Sequence, residues 1–397
     1  MSKETLWIIS ELFPPDETST AYILGEITNV MAKKYDVKVI CGPEIYDKRK
    51  KTDPNNKFVL APQISVTHVK GVNLDKNTFL GKTMRFAVIS RQLYATAKKN
   101  IKGGDKVLLV TNPAPMVALM SKLRKKRNFK LNILVHDVFP ENTKPAGLKL
   151  PSWSYHSLKN LFDKAYSRAD QLIALGRDMK QILEQKVAKF EHQPKVTIIE
   201  NWADLDIISP LELTPHPNKL IIEYAGNIGL VQGLQTLIED IKTVNNDNIQ
   251  FHLWGTGAEE HNLKDYTLAQ NMTNVVFHGA YLRSKQNEVI NNCDLALVTL
   301  SEGMFGLGVP SKTYNILAAG KAVLYIGEPT SEIGLLINEK QIGYVFAPSD
   351  REGIKRFLKN LTPERRNEFN EMGRRARKVA ETEYSKQIIL NKFIKAI

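Results

Sequence analysis

Leu220-Ile221-Ile222-Glu223-Tyr224-Ala225-Gly226-Asn227-Ile228-Gly229-Leu230-Val231-Gln232-Gly233 is the stretch that decides the fold. Its first six residues are apolar and β-branched enough to read as a strand. The strand ends in Gly-Asn-x-Gly, and a helical pattern opens over Gly233–Asn245. Glycines in such a turn let the backbone approach a phosphate, and the helix start supplies free N–H groups. A tight βα turn with no ligand has the same look. The G-x-G-x-x-G spacing is absent, and no acidic residue sits at the expected offset, so this is not a dinucleotide fingerprint.

Working outward, the same alternation recurs along the chain. Short apolar runs fall at Leu6–Ser10, Val37–Cys41, Val107–Thr111, Leu131–His136, Gln171–Leu175 and Val196–Ile199. Amphipathic stretches lie between them at Ala21–Lys34, Met116–Arg127, Ser152–Ser167 and Asp178–Lys186. After Leu220–Ala225 come strands at Ile249–Trp254, Val275–His278, Leu295–Thr299, Val323–Ile326 and Gly343–Phe346. Helices are expected at Ser311–Ala319, Pro363–Glu383 and Ser385–Lys395. This alternation predicts βαβ units and mostly parallel sheets. Between the halves, Ser209-Pro210 and Thr214-Pro215-His216-Pro217-Asn218 lack apolar period and read as a linker. The fold class is therefore α/β, with two facing Rossmann-like, doubly wound domains and a cleft between them as the default site.

Composition narrows the function classes. The chain has 397 residues, which suits two domains of roughly 200 residues each. Hydrophobic residues make up 43% and charged residues 24%, as in a folded enzyme rather than a disordered chain. Cys41 and Cys293 read as reduced buried thiols. No run of about 18 apolar residues occurs, and Leu6-Trp7-Ile8-Ile9 is too short for a signal-peptide core. The formal charge of +13 fits nucleic acid, an anionic membrane or a phosphorylated ligand. Cations cluster at Lys48-Arg49-Lys50-Lys51 and over Lys122–Lys130. Thr78–Lys99 interleaves Phe79, Leu80, Met84, Phe86 and Leu93 with Lys82, Arg85, Arg91, Lys98 and Lys99. That suits a helix on anionic headgroups, or a core helix with a solvated basic face. No nucleic-acid motif accompanies the charge, so no nucleic-acid partner is expected.

Four stretches carry chemistry. Gly226, Asn227 and Gln232 belong to the opening turn. Gly303-Met304-Phe305-Gly306-Leu307-Gly308-Val309-Pro310-Ser311-Lys312 is a glycine-spaced loop running into a helix start. Ser311 suits an N-cap or phosphate donor. A lysine in a first helical turn opposes the helix dipole unless an anion is near, so Lys312 is expected to face a diphosphate. His136 and Asp137, at a strand's carboxyl end, suit hydrogen bonding to a sugar hydroxyl or proton transfer. Glu17, Thr18 and Ser19, after the first strand, either cap the first helix or meet acceptor or phosphate. The eight histidines show no ligand spacing, so no metal is expected.

In order and spacing, these pieces resemble the family 4 glycosyltransferases of the GT-B fold. Leu12-Phe13-Pro14-Pro15 looks like the family's first βα loop, and Ile199-Glu200-Asn201-Trp202-Ala203-Asp204 like its interdomain P-N-x-x-D element. Trp254-Gly255-Thr256-Gly257 and Val276-Phe277-His278-Gly279 resemble the strand ends that frame the nucleotide base. Val309-Pro310-Ser311-Lys312 with Ala318-Ala319-Gly320-Lys321-Ala322-Val323 resembles the colanic-acid and O-antigen subgroup, including its N-acetyl-fucosamine type.

The resemblance implies an acceptor-binding domain over 1–205, a nucleotide-sugar-binding domain over 206–380, and a helix at 381–397 packing back on the first domain. It implies a retaining transfer from a UDP-sugar, with an N-acetylated amino sugar among the candidates, and no metal. The acceptor would be a polyprenyl-diphosphate-linked saccharide of surface polysaccharide assembly, at the cytoplasmic face of an anionic membrane. Catalysis would fall to His136, Asp137 and Lys312. The donor diphosphate would meet Gly226, Asn227, Gln232, Gly306, Gly308, Ser311 and Lys312, and the base and ribose would meet Gly255, Gly257, His278, Gly279 and Asn315. Two departures stand out. Asn227 and Gln232 replace the family's Arg and Lys, and Leu307 and Asn315 replace its paired glutamates. A nucleotide-sugar 2-epimerase using Glu302, Glu328 or Glu332, and a non-catalytic relative, are the alternatives on this fold.

Overall fold

The computed structural model describes residues 3–44, 58–71, 79–148, 150–213 and 216–397, with backbone alone at 79–83. The basic run at 48–51 and the side chains of Phe79, Leu80 and Lys82 lie outside the described residues. Two compact units emerge, one of Met1–Asn142, Lys149–Ile199 and Leu390–Ile397, the other of Thr143–Leu148 and Glu200–Ile389.

The first unit holds β1 (Thr5–Ser10), α1 (Ser19–Met31), β2 (Asp36–Cys41), β3 (Ser65–His68), α2 (Phe79–Asn100), β4 (Lys106–Val110), α3 (Pro115–Arg127), β5 (Lys130–Leu134), α4 (Ser152–Ser167), β6 (Gln171–Ala174), α5 (Arg177–Val187) and β7 (Lys195–Ile198). Among the described residues its sheet runs β3-β2-β1-β4-β5-β6-β7, every pair parallel. Ile8, Ile9, Leu108, Leu109, Leu131 and Ile133 are wholly buried. A parallel sheet covered on both faces needs such unbroken apolar strands. Each side chain of that size contributes about 1.5–3 kcal/mol by leaving water. Local signals agree with the packing. The Thr18 hydroxyl accepts from Ala21 N and caps α1. Pro115 opens α3, and Arg124–Arg127 close it where cations complement the helix dipole.

The second unit holds β8 (Leu220–Ala225), α6 (Leu234–Val244), β9 (Ile249–Trp254), α7 (Glu260–Ala269), β10 (Val275–Gly279), α8 (Gln286–Asn291), β11 (Leu295–Thr299), α9 (Lys312–Ala318), β12 (Ala322–Ile326), α10 (Glu332–Lys340), β13 (Gly343–Phe346), α11 (Arg351–Lys359), α12 (Arg366–Thr382) and the start of α13 (Lys386–Ala396). Among the described residues its sheet runs β10-β9-β8-β11-β12-β13, again parallel. Leu220, Ile222 and Tyr224 of β8 join Phe251, Leu253, Leu295 and Leu297 in one core.

Both sheets therefore reverse direction once, between β1 and β4 and between β8 and β11. Ligands of such sheets bind beyond the carboxyl ends of the strands at that switch point. Two details differ from the sequence reading. The strand expected over Leu131–His136 stops at Leu134, so His136 sits in the following loop. The sequence reading places no element at β3 or at the helices α7, α8, α10 and α11, and these emerge only here.

Candidate functional site

In the second unit the loop after β8 is built against two neighbours. Gly226 N donates to Trp254 O at 2.9 Å, and Ile228 N donates to Thr256 O at 3.0 Å. Gly255 N donates to Gly279 O at 2.7 Å, which brings in the end of β10. These approaches require glycine. Gly255 has φ 121°, and a Cβ there would stand 1.9 Å from Gly226 O. Across the switch point, Ser301 N donates to Val231 O at 2.8 Å and Thr299 Oγ1 to Gln232 O at 2.8 Å. The structure thus brings together Gly226, Asn227, Gln232, Gly255, Gly257 and Gly279.

Lys312, from α9, reaches the same place. A Cβ on Gly226, whose φ is 156°, would meet Lys312 Nζ at 2.9 Å. That Nζ lies 3.3 Å from the centroid of the Tyr224 ring. It is buried and has no hydrogen-bond partner. The residue as a whole is partly exposed, but its amine is shut off from water. Burial pushes the amine well below the ordinary lysine range. The Tyr224 hydroxyl is committed elsewhere, donating to Asn227 O at 2.6 Å.

Other expected donor contacts take different positions. Ser311 stands before α9 but makes no side-chain cap bond, so the capping role is not filled. The Gln232 side chain accepts from Gly229 N at 3.0 Å and shapes the turn. Asn315 Oδ1 accepts from Asp204 N at 3.2 Å, so this oxygen ties α9 to the 201–204 segment. Gly306, with φ 67°, and Gly308 share the turn between β11 and α9. His278 is exposed and stacks on Trp254, with centroids 4.0 Å apart and planes 8° from parallel. Glu302 and Glu328 are exposed, whereas Glu332 is buried in the first turn of α10.

In the first unit, the loops after β4 and β5 are joined by Thr111. Its hydroxyl accepts from His136 N at 3.1 Å and from Asp137 N at 3.3 Å. His136 Nε2 is buried without a partner, and burial lowers the imidazole to about 4. The ring is therefore neutral near pH 7. Desolvation by the surrounding protein raises the Asp137 carboxyl, although the residue as a whole is exposed. Thr18 is occupied as the α1 cap, with its own N–H donating to Asp16 Oδ1 at 2.9 Å. Ser19 is the first residue of α1 and is exposed. Ion pairs hold the rest of the loop. Lys186 Nζ lies 2.6 Å from Glu141 Oε1 and 2.7 Å from Asp163 Oδ1.

Tyr224 and Thr111 are the positions at the candidate sites that sequence reading missed. Tyr224 stood inside the deciding stretch but read as a core aromatic. Thr111 read as the last residue of a strand. Among the described residues, no group of three His, Cys, Asp or Glu side chains is placed to hold a metal, and no helix is long and apolar enough to cross a membrane.

Comparisons with known proteins agree with this geometry. The family model "Glycosyl transferases group 1" matches residues 212–379. The chain is 31% identical to "Probable glycosyltransferase WbjE" of Pseudomonas aeruginosa, over 98% of this chain and 96% of that one. Its fold is similar to Anabaena HepE, solved in complex with UDP, with a TM-score of 0.68, 13% identity and 99% of each chain covered. It is also similar to WaaG, a glycosyltransferase involved in lipopolysaccharide biosynthesis, with a TM-score of 0.67, 14% identity and 98% of each chain covered.

Proposed function

Because the chain belongs to the group 1 glycosyl transferases, we propose that it transfers a sugar from UDP to a lipid-linked saccharide in surface polysaccharide synthesis. The donor diphosphate lies at the β8–β11 switch point, against the Gly226–Gln232 turn and Lys312. One observation carries this reading: a lysine amine without a partner, buried beside a glycine turn where a parallel sheet binds ligands. Such a charge stabilises the leaving diphosphate as the glycosidic bond to it breaks. A donor of this kind is worth about 10²–10³ in turnover. The UDP in the HepE complex supports the choice of nucleotide.

The remaining roles follow from position. Trp254, His278, Gly255, Gly257 and Gly279 frame the base. Ser311 and the backbone N–H of Asn227 offer hydrogen bonds to the diphosphate. His136, neutral at pH 7, bonds a hydroxyl of the transferred sugar or accepts its proton. No metal is used, and the anomeric configuration is retained, as in the family the sequence resembles.

The acceptor is a polyprenyl-diphosphate-linked saccharide, reached at the cytoplasmic face of an anionic membrane. The WaaG likeness supports the polysaccharide setting. Trp153 in the first turn of α4, 76% exposed, supports the membrane contact.

Calorimetric titration with UDP, GDP and ADP, with and without magnesium, tests the donor assignment. UDP alone is expected to bind, equally well without metal, and binding of none would sink it. Transfer assayed on lipid-linked and soluble acceptors tests the rest, with activity expected on the lipid-linked ones. His136→Ala is expected to slow turnover more than it weakens UDP binding. The reverse would make His136 a structural residue.

A further inference from the structure

We propose that Tyr224 and Gly226 are positioning residues that stow the Lys312 amine over the Tyr224 ring in the empty enzyme, and that the diphosphate of the donor draws it out, with uptake of one proton. This rests on the donor reading above and deepens it.

The geometry is specific. Nζ sits 3.3 Å from the Tyr224 centroid, on the ring face, where no lone pair accepts its hydrogens. A Cβ on residue 226 would come within 2.9 Å of it and press on the flexible end of Lys312, so the glycine leaves the amine room over the ring. The ring is held in turn by its hydroxyl, which is bonded to Asn227 O. The stowage site is therefore part of the same turn that meets the diphosphate.

Among the described residues no neighbour pairs with Nζ, and the buried Glu223 carboxyl of β8 interacts with Trp254 and Lys321 instead. β8 contributes Tyr224, and the segment after β10 contributes Tyr281, close enough to Tyr224 to influence it. The loop after β11 carries Glu302, which is exposed. β12 contributes Tyr325, whose hydroxyl is paired with Ser331. Arg377 of α12, which packs on α9, donates to Ala318 O. None of these pairs with Nζ.

A stowed amine without partners is stable only when neutral, because an unpaired charge in such a site loses its hydration. Beside a diphosphate the same amine is stable only when charged. Movement between the two sites therefore couples to the gain of a proton from solvent. As pH rises between the pKa of the stowed amine and that of the bound one, donor affinity falls, by up to about tenfold per pH unit.

The test is calorimetric titration of UDP at pH 8, where the terminal phosphate of UDP is already ionised, in HEPES and in Tris. The difference in observed heat between buffers of different ionisation enthalpy gives the protons taken up. Wild type is expected to take up close to one, and Lys312→Met none. Tyr224→Phe, which keeps the ring, is expected to behave as wild type. Tyr224→Leu, which removes the ring face, is expected to bind UDP with uptake largely lost.

UDP binding by wild type without proton uptake, or full uptake in Tyr224→Leu, overturns the stowage and leaves the donor reading intact. Failure of wild type to bind UDP overturns both. If Tyr224→Leu does not fold, the 13C shift of Lys312 Cε, assigned by its loss in Lys312→Met, reads the amine directly. It is expected to titrate below the other lysines in the free enzyme and among them with UDP. Titration with the other lysines in both states refutes the proposal.

Discussion

Two lysine amines, one in each unit, are buried under opposite conditions. Lys186 in the first unit has a side chain only 2% exposed, and its amine touches Glu141 and Asp163. Lys159 and Lys189 complete the cluster around Asp163. Burial raises the Asp163 carboxyl, but the three lysines outweigh it and hold the group below its ordinary value. Lys312 in the second unit is equally hidden from water at Nζ and has only a ring face beside it. A protein that neutralises one buried amine with care and leaves another bare has left the second for something that arrives later. On the reading proposed above, the paired amine belongs to the architecture and the bare one to the donor site.

The contrast breaks first on Lys186. Lys186→Met leaves two carboxylates partly unpaired, so unfolding in denaturant is expected to show a loss of about 3 kcal/mol or more. A variant as stable as wild type would erase the distinction. Lys312→Ala is the converse: turnover falls about 10²–10³-fold, while the unfolding midpoint holds or rises, because an unpaired buried group has been removed. Loss of stability with unchanged turnover would make Lys312 architectural as well.

His136 sharpens the comparison within the first unit, since its Nε2 is also buried and unpaired. Its imidazole lies at about 4 in the folded chain against an ordinary 6.5. The unfolded chain therefore binds the proton first, and this contribution to stability is present above pH 6.5 and lost as pH falls toward 4. His136→Gln is expected to flatten that part of the stability curve, and an unchanged curve would remove the burial effect. The smallest effect is at the surface. Trp153→Ala is expected to weaken sedimentation with vesicles of anionic lipid a few-fold and leave turnover on a soluble acceptor unchanged. Equal sedimentation would remove α4 from the membrane contact.

Much of the second unit was legible because its strands announce themselves. Leu220–Ala225, Ile249–Trp254, Leu295–Thr299 and Gly343–Phe346 have the bounds that their apolar runs predict. β3 was not legible: Ser65–His68 is a short edge strand with alternate residues exposed, and such a strand needs no apolar run. The glycine turn and Lys312 stood out in the sequence as a candidate anion site because each breaks a local rule that a ligand would repair. Asn315 shows the limit. Its place in the family's pattern suggests ribose, but its oxygen is bonded to Asp204 N, 111 residues away in sequence.

The sequence by itself determined the parallel α/β class and the βα turns at the strand ends, and it singled out the residues proposed to meet a diphosphate. Those follow from period, glycine placement and charge within a few neighbours of each residue. Only the tertiary structure decided which of those residues are free to act. Thr18, Gln232 and Asn315 are already bonded within the fold, whereas the Lys312 amine and His136 Nε2 are buried with no partner. Whether a polar group is satisfied depends on atoms far off in the chain, and in a buried site that difference separates a structural group from one held for a ligand.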